Sequence, residues 1–269
     1  MHTKKMLRSQ AIMKRLFQFS ADDLIRRLFG ADRETVLYRL LPHFFGELMK
    51  TYFRVSVEGS EHIPKRGSAL IVPNHSGVSG FDAMVLHHEI ARVSRRYPRV
   101  LTHHLWFLNK TTALPATRLG FIEATTENGL KYLKRKQIVV LFPEGEYGNF
   151  KPSSNAYQLQ EFKRGFIRMA LETGAPIIPT LVIGAEETHV NLSRLKLTKF
   201  LRGVILPLPL NLIPLPSKWK IIFMEPVLLP YERKAAGDRD LVKELADELH
   251  DKMQERLNTE LAKRGSVFL

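Results

Sequence analysis

Short uninterrupted apolar runs alternate with amphipathic stretches along this chain, a pattern that predicts strands separated by helices. Phe53 to Glu58, Ala69 to Val72, the residues around Val100, Gly120 to Glu123, Ile138 to Phe142, Ile177 to Ile183 and Trp219 to Met224 read as strands. Ala83 to Arg92, Glu127 to Arg135 and Phe162 to Glu172 read as helices, and Asp240 to Lys263 as a long amphipathic helix. Strand, loop and helix recur without an internal sequence repeat. That order predicts an α/β fold, a mostly parallel central sheet flanked by helices and joined through crossovers. Residues 1–52 read as an N-terminal helical extension and residues 53–269 as the main domain.

Two stretches carry apolar residues that the sheet does not claim. From Met6 to Phe19, basic residues alternate with Met6, Leu7, Ile12, Met13, Leu16, Phe17 and Phe19, as in an interfacial helix or a helix packed on the domain. From Val204 to Trp219, Pro207, Pro209, Pro214 and Pro216 forbid a regular helix. That loop either tucks against the core or enters a bilayer surface with Lys218 and Trp219 at the headgroup level. No run reaches the roughly 18 apolar residues of a simple membrane span. No secretory signal is expected, since Lys4, Lys5, Arg8, Lys14 and Arg15 interrupt the first apolar positions.

Composition narrows the partners. The 269 residues contain no cysteine, which removes disulfides, thiolate metal sites and a Cys nucleophile. A formal charge of +14 calls for an anionic partner, either lipid or nucleic acid. The mixing of cations with aliphatic residues favours an anionic membrane surface, and no nucleic-acid motif occurs. The expected location is therefore at a membrane, peripheral or monotopic, facing the cytoplasm. His87, His88, His103, His104 and His189 lack a carboxylate at fixed helical spacing, so no metal is expected.

Chemistry concentrates in Asn74-His75-Ser76-Gly77-Val78-Ser79-Gly80-Phe81-Asp82, a glycine-rich loop between a buried strand and a helix. On a continuous helix residues seven apart lie about 10 Å from each other, so His75 and Asp82 can meet only if this loop folds back. The carboxylate would then fix the tautomer and stabilise an imidazolium, leaving His75 as a general base. The plainer alternative makes Asp82 a helix cap and His75 a polar loop residue. A second segment, Val139-Val140-Leu141-Phe142-Pro143-Glu144-Gly145-Glu146-Tyr147-Gly148, is an apolar strand running into a Pro-Glu-Gly turn.

Together the two segments resemble the glycerolipid acyltransferase superfamily, whose signatures are a His-x4-Asp block and a Phe-Pro-Glu-Gly block. The resemblance runs from about Val55 to Pro226 and includes Gly120-Phe121-Ile122 and Ala175-Pro176-Ile177-Ile178-Pro179. Here six residues rather than four separate His75 from Asp82. That spacing, Glu144-Gly145-Glu146 and Phe162-Lys163-Arg164-Gly165-Phe166 look like the monoacylglycerol and diacylglycerol acyltransferase branch. Relatives acting on phosphorylated acceptors carry Arg after the Glu-Gly turn and at the end of the middle block. This chain has Glu146 or Tyr147, and Ala124 or Thr125, so both bidentate phosphate forks are missing.

The resemblance implies an acyltransferase fold and transfer of a fatty acyl group from acyl-CoA or acyl carrier protein to a lipid hydroxyl. The acceptor could be mono- or diacylglycerol or a lysophospholipid, and a neutral hydroxyl is favoured; Arg164 or Lys151 could substitute as a cation. His75 and Asp82 are then catalytic, and Glu144, Gly145 and Arg164 bind substrate. Acyl-CoA is a co-substrate and no cofactor is required. Ser76 and Ser79 stand as possible nucleophiles, and a membrane-attached, lipid-binding homologue without turnover as the competing class.

Overall fold

A strand covered on both faces should be apolar nearly throughout, and Ala69–Pro73, Ile138–Val140 and Ile177–Ile183, whose one polar residue is Thr180, meet that demand. In the computed structural model, which describes residues 26, 28–76, 78–197 and 204–268, they are β2, β5 and β6, each buried at every position. They join β1 (Ser56–Glu58), β3 (Arg99–Thr102), β4 (Phe121–Glu123) and β9 (Lys220–Phe223) in a seven-stranded sheet of order β1-β9-β6-β2-β5-β3-β4. Only β6 and β9 pair antiparallel; the other neighbours run parallel. The sheet is mostly parallel, as the alternation of strands and helices predicts.

Strand periodicity splits the core in two. Leu70, Val72, Val139, Ile177 and Leu181 cluster with residues of α4 (Thr126–Lys134), α6 (Gly165–Thr173) and α7 (Arg239–Ala262). Ala69, Ile71, Val140, Ile178 and Val182 cluster instead with Phe53, Trp219 and the Val85, Leu86 and Ile90 face of α2 (Phe81–Ser94). Other helices among the described residues include α1 (Leu41–Tyr52), which a short helical run over residues 33–40 precedes, α3 (Lys110–Arg118) and the single turn α5 (Glu146–Asn149). The chain divides into two units, Met1–Glu47 and Leu48–Leu269, so the division falls inside α1 rather than after Tyr52. The interfacial reading of Met6 to Phe19 lies outside the described residues. Among the described residues no helix is long and apolar enough to cross a membrane.

Three elements depart from the sequence expectation, each for a local reason. The first strand starts at Ser56 because Phe53 is drawn into the core, where its ring stacks on Trp219 at 4.3 Å and 13°. Trp219 is therefore a core residue and not a headgroup anchor: it is 1% exposed, and its indole N–H donates to the Ser217 hydroxyl at 3.2 Å. α3 is hidden in the sequence by Pro115 at mid-helix; the Asn109 side chain starts it by accepting from Thr112 N at 3.1 Å. Part of the proline-broken stretch is a strand: β7 (Asn191–Leu197) and β8 (Val204–Pro209) form a separate antiparallel pair, with a register shift between Asn191 and Arg194. Pro207 and Pro209 fit there because β8 has a neighbour on one side only.

One buried group on α2 ties stability to pH. His87 keeps part of its ring near the surface, stacked on Phe121, yet its Nε2 is buried with no hydrogen-bond partner. Burial, helped by His88 and Arg99, pushes its pKa down from 6.5 to about 4. Between those values the unfolded chain binds a proton that the folded chain refuses, so stability falls as pH drops through that window. His87→Phe should remove about one proton's worth of this slope, read as urea-unfolding free energy measured between about pH 4.5 and 7.5. An unchanged slope would assign the acid sensitivity elsewhere.

Candidate active site

β2 ends by handing the chain to Asn74, whose side chain substitutes for a strand neighbour. Its Nδ2 donates to Val182 O at 3.1 Å and its Oδ1 accepts from Val182 N at 2.7 Å, both bonds buried. This two-point lock on β6 sets where His75 leaves the sheet, at the carboxyl end of a parallel strand, where α/β sheets build their sites.

The loop then folds back. Val78 takes φ 54°, a left-handed conformation costly for a β-branched residue, and Gly80 takes φ 72° immediately before α2. The turn brings Asp82, fully buried in the first turn of α2, to His75: Oδ2 lies 2.6 Å from Nδ1. The same oxygen accepts from Ser76 N at 2.9 Å, and Oδ1 accepts from Ala83 N at 2.8 Å. Two backbone donors make Asp82 an acceptor, so the bridging proton belongs to Nδ1 and the lone pair to Nε2. Asp82 thus fixes loop and imidazole together, joining the two roles that the sequence leaves as alternatives. The His75 ring stacks on Phe142 at 4.1 Å, which holds its plane.

Glu144 approaches from the other segment. It is 1% exposed, and its oxygens accept from His75 N at 2.8 Å and from Gln160 N at 2.7 Å. Lys151 Nζ lies 3.7 Å from Glu144 and 2.8 Å from Glu186, whose pKa burial raises to about 7 against the pull of Lys151. With both oxygens engaged by backbone, Glu144 acts on the site by clamping His75 rather than by offering a free carboxylate to a ligand. Gly148 permits this: a Cβ there would meet the Glu144 side chain at 2.5 Å.

Gly145, at φ 57° and ψ −143°, turns the chain beside Glu144, and Lys163 Nζ lies over it, 2.9 Å from where a Cβ would be. His103 lies nearby, 3.7 Å from Glu146; burial, then His104, pushes its pKa down. Arg164 caps the start of α6 and faces the exposed Glu161 at 3.6 Å, and no bond joins it to His75, Asp82 or Glu144. Lys151 is committed to two carboxylates, so the cation beside the turn is Lys163, which the sequence reading passed over. Thr125, at the end of the middle block, caps α4 by accepting from Asn128 N at 3.1 Å. The Ser76 hydroxyl is buried without a hydrogen-bond partner, so it lacks the bond to a base that a serine nucleophile needs. It lines a cavity of about 10 Å³ with Asn149, Lys151, Glu186, His189 and Asn191.

Residues 54–183 match the family model described as Acyltransferase. The chain is 36% identical over 258 residues to an uncharacterised protein of Mycobacterium tuberculosis, spanning 89% of this chain and 70% of the other. It is 24% identical over 138 residues to a 1-acyl-sn-glycerol-3-phosphate acyltransferase of Borreliella burgdorferi, covering 47% and 50% of the two chains. In fold it is similar to the crystal structure of the 1-acyl-sn-glycerophosphate acyltransferase from Thermotoga maritima, with a TM-score of 0.59 at 19% identity, over 97% of this chain and 90% of that one.

The clamp makes Glu144→Gln informative, because an amide N–H₂ must then face one of two backbone N–H donors. A loss of about 1–3 kcal/mol in unfolding free energy is expected from chemical denaturation, the cost of a buried donor left unpaired. Wild-type stability in that variant would mean that the carboxylate is not the clamp.

Proposed function

The chain belongs to the glycerolipid acyltransferase superfamily, and on that footing we propose that it moves a fatty acyl group from a thioester, acyl-CoA or acyl carrier protein, to a free hydroxyl of a glycerolipid at a membrane surface. The contact that carries this reading is the 2.6 Å bond between His75 Nδ1 and Asp82 Oδ2. It leaves Nε2 as the base. Nε2 takes the hydroxyl proton while the oxygen attacks the thioester carbonyl. The tetrahedral intermediate collapses with cleavage of the C–S bond, and the leaving thiolate recovers the proton from the His75 imidazolium. Ester and thiol are the products, and no covalent enzyme intermediate forms. Asp82 counters the positive charge that the imidazolium carries between the two transfers.

The acceptor class follows from the cations beside the Glu-Gly turn. Glu146, Tyr147, Ala124 and Thr125 stand where phosphate-gripping relatives carry Arg, and Thr125 is spent on capping α4, which supports a neutral hydroxyl such as mono- or diacylglycerol. A second reading, a lysophospholipid acceptor, draws on Lys163 over Gly145 and on the activities by which the Borreliella and Thermotoga proteins are named.

His75→Ala should lower acyl transfer by about two to four orders of magnitude with the fold intact, and Asp82→Asn by less, measured with radiolabelled acyl-CoA and a lipid acceptor. Near-wild-type turnover of His75→Ala refutes the base. Binding of acyl-CoA by the wild type with no ester formed from any acceptor would make the chain a lipid-binding homologue without turnover. Diacylglycerol and lysophosphatidate should be run side by side: Lys163→Met is expected to leave KM for the neutral acceptor unchanged. A severalfold rise in KM confined to lysophosphatidate would establish the second reading instead.

A further inference from the structure

From Thr188 to Met224 the chain carries six Lys or Arg and no Asp or Glu. The loop leaving β8 lies in this stretch and turns aliphatic side chains to the outside. Leu210 is 71% exposed, Leu212 88% and Ile213 80%, with Leu208 and Leu215 also exposed.

The exposure does not come from a loose backbone. Asn211 accepts from Val190 N at 2.8 Å and donates to Thr188 O at 2.9 Å and Ile213 O at 2.7 Å. Leu210 N donates to Val190 O and Leu215 N to Thr188 O, each at 2.8 Å, and the Tyr52 hydroxyl donates to Pro214 O at 2.6 Å. Arg54 donates to Pro216 O. A loop pinned on both sides of its tip, with its largest aliphatic groups held in water, is built to lose that water to an apolar phase.

We propose that this loop, centred on Leu212 and Ile213, enters the acyl-chain region of an anionic bilayer. Charge favours the occupant: a chain with a net formal charge of +14 complements anionic lipid headgroups. Aliphatic tips without an exposed aromatic among them suit acyl chains better than the aromatic and Arg anchors of a protein interface. The surface is tied to the chemistry. Asn191, at the base of the hairpin, donates to Phe150 O at 2.9 Å and Lys151 O at 3.0 Å, and Asn149 O in turn accepts from Val78 N at 3.3 Å in the His75–Asp82 loop. The proposal deepens the lipid-acceptor reading of that site and rests on it for the acceptor's route of entry.

Because the chain has no cysteine, Leu212→Cys can be labelled at one place with a nitrobenzoxadiazole fluorophore in the full chain, with Leu228→Cys, 69% exposed, as the comparison. On adding vesicles of phosphatidylcholine with phosphatidylglycerol, the label at position 212 should shift to the blue and be quenched by a nitroxide on the acyl chains; the label at position 228 should do neither. In sedimentation, Leu212→Glu combined with Ile213→Glu should lower partition onto the same vesicles by about tenfold or more, with the wild-type thermal transition retained. No spectral shift at position 212, or unchanged partition of the double variant, overturns the proposal. So does a shift that grows with protein concentration in the absence of vesicles, which would assign the surface to a second copy. Partition is read without substrate, so a failure here is separate from a failure of His75 to transfer acyl groups.

Discussion

The carboxylate of Asp82 organises this molecule's chemistry, because it accepts from the imidazole of His75 and from the backbone of Ser76 through a single oxygen. A buried carboxylate needs donors around it, and each hydrogen bond to a charged group contributes about 1.5–3 kcal/mol. Those donors come from both ends of one loop. The bonds therefore offset the strain of Val78 at φ 54°, and at the same time they settle which imidazole nitrogen is free. Folding and the proposed reactivity draw on the same contacts: a loop that opened would part His75 from Asp82.

A second buried carboxylate does comparable work on the other side. Glu144 holds His75 by its backbone while Asp82 holds it by its ring, and Phe142 packs on the ring face. The imidazole is thus fixed at three points by two segments far apart in sequence, one leaving β2 and one leaving β5. Those strands are direct neighbours in register, with Ile71 opposite Val140, so the loops that follow them begin side by side. Lys151 lies beneath and sets its charge against Glu144 and Glu186, which keeps two acids from sharing one pocket unopposed.

Much of this was legible in the sequence wherever one physical demand dominated a stretch. Strands covered on both faces are apolar almost throughout, so β2, β5 and β6 could be read directly, and the glycine-rich run between His75 and Asp82 announced a fold-back. Where two demands compete in one stretch, sequence falls short. Pro115 argues against a helix that capping by Asn109 and packing produce regardless. Trp219 fits a headgroup belt and a core equally well, and the deciding partner, Phe53, is remote in sequence. Glu144 and Gly145 were found by resemblance, but the direction of the carboxylate depends on two backbone N–H groups and on the missing side chain of Gly148. Lys163 could be singled out only once its ammonium was seen above Gly145.

For the proposed membrane attachment, a rigid hairpin suits acyl transfer to a lipid better than a hinged one. A lipid hydroxyl sits at a fixed depth, near the glycerol backbone, while the acyl chains lie deeper, so the base must be held at a set height over the bilayer. A flexible tether would spread that height over many values and lose the orientation from which catalysis by proximity draws its effect. Here Asn191 bonds the base of the hairpin to the backbone at Phe150 and Lys151, and the same short loop meets Val78 and Glu144 through Asn149 and Lys151. Two hydrogen-bonded steps therefore separate the base of the hairpin from the His75–Asp82 loop. In the proposed membrane placement, the depth of the aliphatic tip would fix the depth at which His75 meets a hydroxyl.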